Sequence, residues 1–165
     1  MVDTKTTKTE KPEKTEVKTD KLSYYYAIGR RKEASARIRL YLVTDEKGVV
    51  VGDNTLTKGQ IVVNGRPVEK YFPGETFKKI YLEPFRTTNA LNRFAASVKV
   101  EGGGLVGQLG AVVLGISRAL EKTDKEKIRP ILKKRGFLRR DPRIKQRRKA
   151  GYAQKSRKRK QSPKR

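Results

Sequence analysis

The side chains in this chain best equipped for chemistry are cationic, and they fall in clusters. The first is Gly29-Arg30-Arg31-Lys32. The others lie near the C-terminus: Arg139-Arg140-Asp141-Pro142-Arg143, then Gln146-Arg147-Arg148-Lys149-Ala150-Gly151, then Lys155 to Lys160, which includes Arg157, Lys158 and Arg159. A guanidinium fork binds phosphate in a bidentate way and stacks on bases, whereas a lysine acts as a point charge. The chemistry such clusters perform is recognition of a polyanion. Between Arg139 and Arg165 the only large apolar side chains are Ile144 and Tyr152, so this stretch cannot build a core. Fully extended, residues 129–165 reach about 120 Å at roughly 3.3 Å per residue. That reach suits penetration between RNA helices better than lying along one duplex. A solvated, self-repelling run is the plain alternative, but the arginine content and the turn-like units between clusters argue against it.

Composition narrows the partners. Lys and Arg total 42 against 17 Asp and Glu, a net charge of +25. Such a balance points to nucleic acid before an anionic membrane. There is no Cys and no His. That removes disulfides, zinc sites of the Cys/His kind, thiol nucleophiles and imidazole bases. No serine sits in a nucleophile elbow, and the acids are scattered among basic neighbours. The expectation is a protein that is not an enzyme, with no cofactor, no metal and no small-molecule substrate. No apolar run approaches the ~18 residues of a membrane span. The N-terminus lacks a secretory core, and Glu10, Glu13 and Glu16 argue against a transit peptide, so a cytoplasmic location with no membrane partner is expected.

Gly102-Gly103-Gly104-Leu105-Val106-Gly107 matches G-x-G-x-x-G between a strand and a helix. Three readings stand: a dinucleotide fingerprint, a tight turn with close backbone packing, or helix-start amides that grip an RNA phosphate. The dinucleotide reading lacks room for repeated parallel βα units. Tyr24-Tyr25-Tyr26 could stack on bases, but consecutive strand residues face opposite ways, so at least one belongs to the core.

The elements that must position these groups are legible in outline. Residues 1–20 balance five Lys with five acids and read as a disordered extension. Residues 21–128 form the folded body, with net charge +8, and residues 129–165 form the basic tail, with net charge +17. Tyr24 to Arg30 and Ala34 to Val43 read as strands. On the second, Ala36, Ile38, Leu40 and Leu42 face inward, and Arg37, Arg39 and Tyr41 outward. Thr44 to Lys58 is a loop or irregular hairpin. Gln60 to Val63 followed by Asn64-Gly65 is a hairpin, with Pro67 marking an edge. Glu75 to Leu82 is a short helix ended by Pro84, and Phe94 to Val100 is a strand. Gly107 to Glu121 is a helix striped by Leu109, Val112, Val113, Ile116 and Leu120, with Gly110, Ala111, Gly115 and Ala119 permitting close packing on a sheet. Asp124 caps a last helix that contains Pro130, where a kink or early turn is expected, and Gly136 ends it. The fold class is α+β: two layers, with an antiparallel-rich, mixed four-stranded sheet, helices on one face, and a long extended basic tail.

Gly29 to Ile38 resembles the N-terminal signature of the S-nine family of small-subunit ribosomal proteins. Gly65 to Phe72 with Glu75-Thr76, then Gly102-Gly103-Gly104, Gly107-Gln108, Gly110-Ala111 and Gly115 to Leu120, are similar to its central signature. The Arg139 to Arg143 and Gln146 to Lys149 clusters, Gly151 and the closing Lys164-Arg165 resemble its tail, and Gly-Gln-Leu-Gly-Ala looks bacterial. The resemblance implies a fold like the second domain of ribosomal protein S-five and a structural role in translation. It implies binding to small-subunit rRNA in the head, within the 3′ major domain, beside neighbouring head proteins. The rRNA-binding residues are then Arg30, Arg31, Lys32, Arg37, Gly103, Gly104, Gln108 and Arg118 in the body. In the tail they are Arg139, Arg140, Arg143, Arg147, Arg148, Lys149, Lys155, Arg157, Lys158, Arg159 and Lys160. In the family the tail tip touches peptidyl-site tRNA, a role that falls to Lys164 and Arg165. Departures are Val106 for a usual Ser or Thr, Leu109 for Ala, Val113 for a base, and Ser162-Pro163 for Phe-Ser.

Overall fold

The computed structural model describes residues 23–44, 48–52 and 54–147. The expected disorder of residues 1–20 and the expected extension of the tail beyond residue 147 lie outside them. In chain order the elements are β1 (Tyr24–Arg31), β2 (Ala34–Leu42), β3 (Val49–Val51), β4 (Asn54–Leu56), β5 (Ile61–Val63), β6 (Arg66–Pro67), α1 (Val68–Tyr71), α2 (Glu75–Thr87), β7 (Phe94–Glu101), α3 (Leu105–Thr123) and α4 (Lys125–Lys134). The main sheet has the order β1-β2-β7-β5-β6, antiparallel except for the parallel pair β5–β7. It has five strands rather than the expected four. The extra strand is β6, two residues long, and β3 and β4 pair separately as a two-stranded ribbon.

The sheet edge at β6 follows from its turn. Asn64 (φ 48°) and Gly65 (φ 77°) take the positive φ that a two-residue hairpin needs. Pro67 then has no N–H to donate, so pairing stops there. Asn64 also extends the parallel pair. Its Nδ2 donates to the Val100 carbonyl at 3.0 Å, and the Val100 N–H donates to its Oδ1 at 2.8 Å.

The alternation of β2 and β7 sends Ala36, Ile38, Leu40, Phe94, Ala96, Val98 and Val100 into the core beneath α3. From α3, Leu109, Val112, Ile116 and Leu120 answer them, all buried. Burying one such leucine contributes about 2 kcal/mol. Glycine sets how near the layers come. Gly29, opposite Ala36 within β1, lies against α3 so closely that a Cβ would overlap the Ala111 carbonyl and sit 2.6 Å from the Gly115 nitrogen. A Cβ on Gly115 would lie 2.5 Å from Ile38 Cδ1 and 3.1 Å from the Gly29 nitrogen. The basic run Gly29 to Lys32 lies mostly within a strand. Gly29, Arg30 and Arg31 belong to β1, and the turn itself is Lys32-Glu33, with Lys32 at φ 51°.

Tyr41 points outward as its alternation requires, yet it is buried. The β3–β4 ribbon covers that end of the outer face, packing Leu56, Val49 and Val51 on Tyr41, Val43, Val62 and Ala95. Leu42, expected inside, is 49% exposed at the strand end. α2 runs to Thr87 through Pro84 instead of stopping before it. Tyr81, Pro84 and Phe85 are buried there, and the packing holds a turn that a proline would break in isolation. Thr88 Oγ1 closes the end by donating to the Pro84 carbonyl at 2.9 Å.

α4 is capped by Asp124, whose side chain accepts the Lys127 N–H at 3.2 Å, and it continues past Pro130. At Gly136 (φ 76°) the Gly136 N–H donates to Lys133 O and the Phe137 N–H to Leu132 O, a Schellman ending that folds Phe137 back toward Leu132. Leu132 is fully buried, and Ile128, Phe137 and Leu138 pack against the same core. The compositional boundary at residue 128 therefore falls inside α4, and the packed unit runs on to Leu138.

Candidate nucleic-acid interface

Two basic clusters about 110 positions apart in sequence meet at one corner of the body. Asp141 joins them. Arg31 Nη2 reaches Asp141 Oδ2 at 3.4 Å. Arg143 grips the same carboxylate with Nε on Oδ1 at 2.9 Å and Nη2 on Oδ2 at 2.8 Å, and its backbone N–H reaches Oδ1 at 3.1 Å. The Asp-Pro-Arg step favours this, because an aspartate side chain bonds to the backbone two residues on and proline presets the bend. The Arg143 side chain, then its backbone N–H, hold the Asp141 carboxyl well below the usual carboxylate range; Arg31 adds a smaller pull. Asp141 is thus an anion at any physiological pH, and it docks the start of the tail on β1.

Arg31 gets there by crossing α3 at Gly110. A Cβ at Gly110 would lie 2.7 Å from Arg31 Nη1. Arg31 Nε is buried and has no hydrogen-bond partner among the described residues. Its stem packs against α3 at Gly110, and its Nη2 is paired with Asp141. Arg30, Arg31, Arg139 and Asp141 line one shallow depression with Gly136 and Phe137. Arg31, Lys32, Asp141, Arg143 and Lys145 line the next. Among the described residues, Arg30, Lys32, Arg139, Arg140 and Arg147 are exposed and have no carboxylate within ion-pair distance. With Lys145, these are the cations of this corner left to meet phosphate.

The other candidates divide by position. Arg118 donates to the Ile28 carbonyl at 2.9 Å, and Lys122, which sequence reasoning passed over, donates to the Tyr26 carbonyl at 2.6 Å. Both satisfy the open edge of β1, where unpaired carbonyls otherwise invite another strand. Arg37 lies on the outer sheet face and holds Glu101 at 3.0 Å, away from the Asp141 corner.

Gly102 (φ 73°) and Gly103 (φ 63°) form a tight turn against the β1–β2 hairpin; Cβ atoms there would come within 2.7 Å of Glu33 O and 3.1 Å of the Ala34 nitrogen. Gln108 is engaged internally. Its Nε2 donates to the Gly102 carbonyl at 3.1 Å, and its Oε1 accepts from the Tyr71 hydroxyl at 3.0 Å. Close backbone packing and positive φ account for Gly102 and Gly103, whereas a Cβ at Gly104 would meet nothing within 4 Å. The sheet has one parallel pair, so the dinucleotide reading falls. Arg148, Lys149, Lys155, Arg157, Lys158, Arg159, Lys160, Lys164 and Arg165 lie outside the described residues.

Tyr25 turns into the core while Tyr24 and Tyr26 stay exposed. Among the described residues, no group of acids could hold a metal ion, and no helix is long and apolar enough to cross a membrane. A basic corner on an α+β body is chemically suited to recognising a polyanion. The family model for ribosomal protein S9/S16 matches residues 29–165, and this chain belongs to that family of structural, rRNA-binding ribosomal proteins.

Proposed function

We propose that this chain is a bacterial-type S9 protein of the cytoplasmic ribosome, seated in the head of the small subunit on the 3′ major domain of its rRNA. The convergence of Arg30, Lys32 and Arg139 with the Asp141 anchor supports this best, because it gathers the hairpin cations and the first tail cations at one corner of the body. In this reading Arg30, Lys32, Arg139, Arg140 and Arg147 contact phosphates directly. Arg31 and Arg143 position the corner, and Arg37, Gly103, Gly104, Gln108 and Arg118 serve surfaces beside it. Arg148, Lys149, Lys155, Arg157, Lys158, Arg159 and Lys160 continue the phosphate contacts as the arm threads into rRNA, beside neighbouring head proteins. Lys164 and Arg165 reach the anticodon stem-loop of peptidyl-site tRNA.

The test is assembly. The protein is expected to sediment with small subunits and to leave them only in high salt. Removing Lys164 and Arg165 is expected to spare assembly and weaken peptidyl-site tRNA retention. Equal tRNA retention by both kinds of subunit would refute the role of the tip.

A further inference from the structure

The Asp141 corner leaves the outer face of the sheet unexplained. Along β1, Tyr24, Tyr26 and Ile28 alternate onto that face, away from α3. Register places Tyr26 beside Arg39, and Arg39 beside Ser97. It places Ile28 beside Arg37, and Arg37 beside Lys99. Tyr24 is 46% exposed and Tyr26 38%. The Arg39 guanidinium lies 5.3 Å from the Tyr24 ring centroid, and the Tyr41 ring is tilted against Tyr24 at 5.7 Å. The Tyr24 ring is therefore held in place before anything binds.

The face is cationic as well as aromatic. Its strands carry one carboxylate, Glu101, at the far end, where it meets Arg37 and Lys99; Glu121 lies at the adjoining edge of β1 and is held by Arg129 at 2.6 Å. Arg39 has no carboxylate partner among the described residues. The β3–β4 ribbon covers the neighbouring end of the face, at Tyr41, and stops short of this strip. A shallow groove remains across three strands, lined by Tyr24, Tyr26, Arg37, Arg39, Ser97 and Lys99.

We propose that this groove binds unpaired RNA, with bases stacked on Tyr26 and on the Tyr24–Arg39 pair and phosphates on Arg37 and Lys99. The inference rests on the rRNA-binding reading and adds a second mode of contact to it. Aromatic rings joined to cations on an open sheet suit splayed-out bases, which present π-faces that a paired duplex hides. An acidic protein would satisfy the cations but would give the exposed rings no such partner.

The experiment uses the full chain with a fluorescent oligouridine, an RNA duplex of equal length and polyglutamate, all at matched salt. The double variant Tyr24→Thr, Tyr26→Thr keeps strand-forming residues, and circular dichroism checks its fold. It is expected to lose oligouridine affinity about tenfold or more, the scale of one or two base–aromatic stacks. Duplex affinity and the salt slope should stay unchanged. The double variant Tyr24→Phe, Tyr26→Phe retains the rings and is expected to bind like wild type. With no Trp in the chain, quenching of tyrosine emission by oligouridine reports stacking directly.

Threonine variants that bind oligouridine like wild type, or that lose duplex and oligouridine binding equally, would overturn the proposal. So would a loss confined to polyglutamate, which would assign the face to an acidic protein. In each of those cases wild type still binds head-domain rRNA and the broader reading survives. A wild-type protein without salt-dependent rRNA binding would end both.

Discussion

On β2, Arg37 and Arg39 stand on a strand whose alternate residues, Ala36, Ile38 and Leu40, are wholly buried. Between Arg139 and Arg147 no residue is buried, and the structure's grip on that stretch is Asp141 with its two arginines. The same side-chain chemistry is thus positioned twice, once by a core and once by a carboxylate. A core fixes a cation through dozens of weak contacts that salt does not touch. A surface ion pair fixes it through a term that salt screens. The hairpin cations should keep their places whatever is bound, and the tail cations should take their final positions from the RNA.

Breaking the core side has the largest expected effect. Gly29→Val forces a side chain into the α3 backbone and is expected to destabilise the fold by about 3 kcal/mol, the upper range for overpacking. The urea midpoint reads this, and an unchanged midpoint would mean that α3 does not approach β1 this closely. Asn64→Ala removes two side-chain bonds to Val100 and puts alanine at positive φ, for a loss of about 2 kcal/mol. Asp124→Ala strips the α4 cap at about 1 kcal/mol. Its readout is faster amide exchange in the first turn of α4.

The tail side should respond differently. Asp141→Asn is expected to leave the global unfolding midpoint where it is while raising amide exchange at Arg143 and protease cleavage after Arg139 or Arg140. A large drop in the midpoint would show that the corner is part of the core after all.

The pH dependence follows from the lowered Asp141 pKa. A carboxyl depressed in the folded state contributes fully above its ordinary value and is lost only as pH falls through the lowered one. Arg143 amide protection should therefore persist between about pH 4 and pH 3, although an ordinary aspartate takes up its proton near 3.9. Loss of protection in that window would contradict the triple grip on Asp141.

The sequence was informative wherever local rules act alone. The Asn64-Gly65 turn, the Asp124 cap, the Gly136 ending and the stripe on α3 were legible because each depends on residues a few positions apart. The burial of Tyr41 was not, because it depends on a ribbon about ten residues away choosing which face to cover. Pro84 misled for a related reason: its helix is held by burial of Tyr81 and Phe85, which local propensity does not register. At the interface, the basic clusters were plain, but the pairing of Arg31 with Asp141 was not. Nothing in either segment names its partner across 110 positions, and only the fold reveals that Arg31 crosses a helix at a glycine.

In the proposed function, the arm beyond the Asp141 corner carries the RNA affinity by neutralising phosphates. The salt dependence of binding to a head-domain rRNA fragment tests it most directly, comparing the full chain with one ending at Arg147, which lacks nine cations. With six to ten phosphate contacts, the full chain is expected to lose about 10³- to 10⁵-fold in affinity between about 50 and 200 mM salt, on the duplex calibration. The shortened chain should bind weakly with a much shallower slope. Equal affinity and equal slope for the two chains would contradict the account.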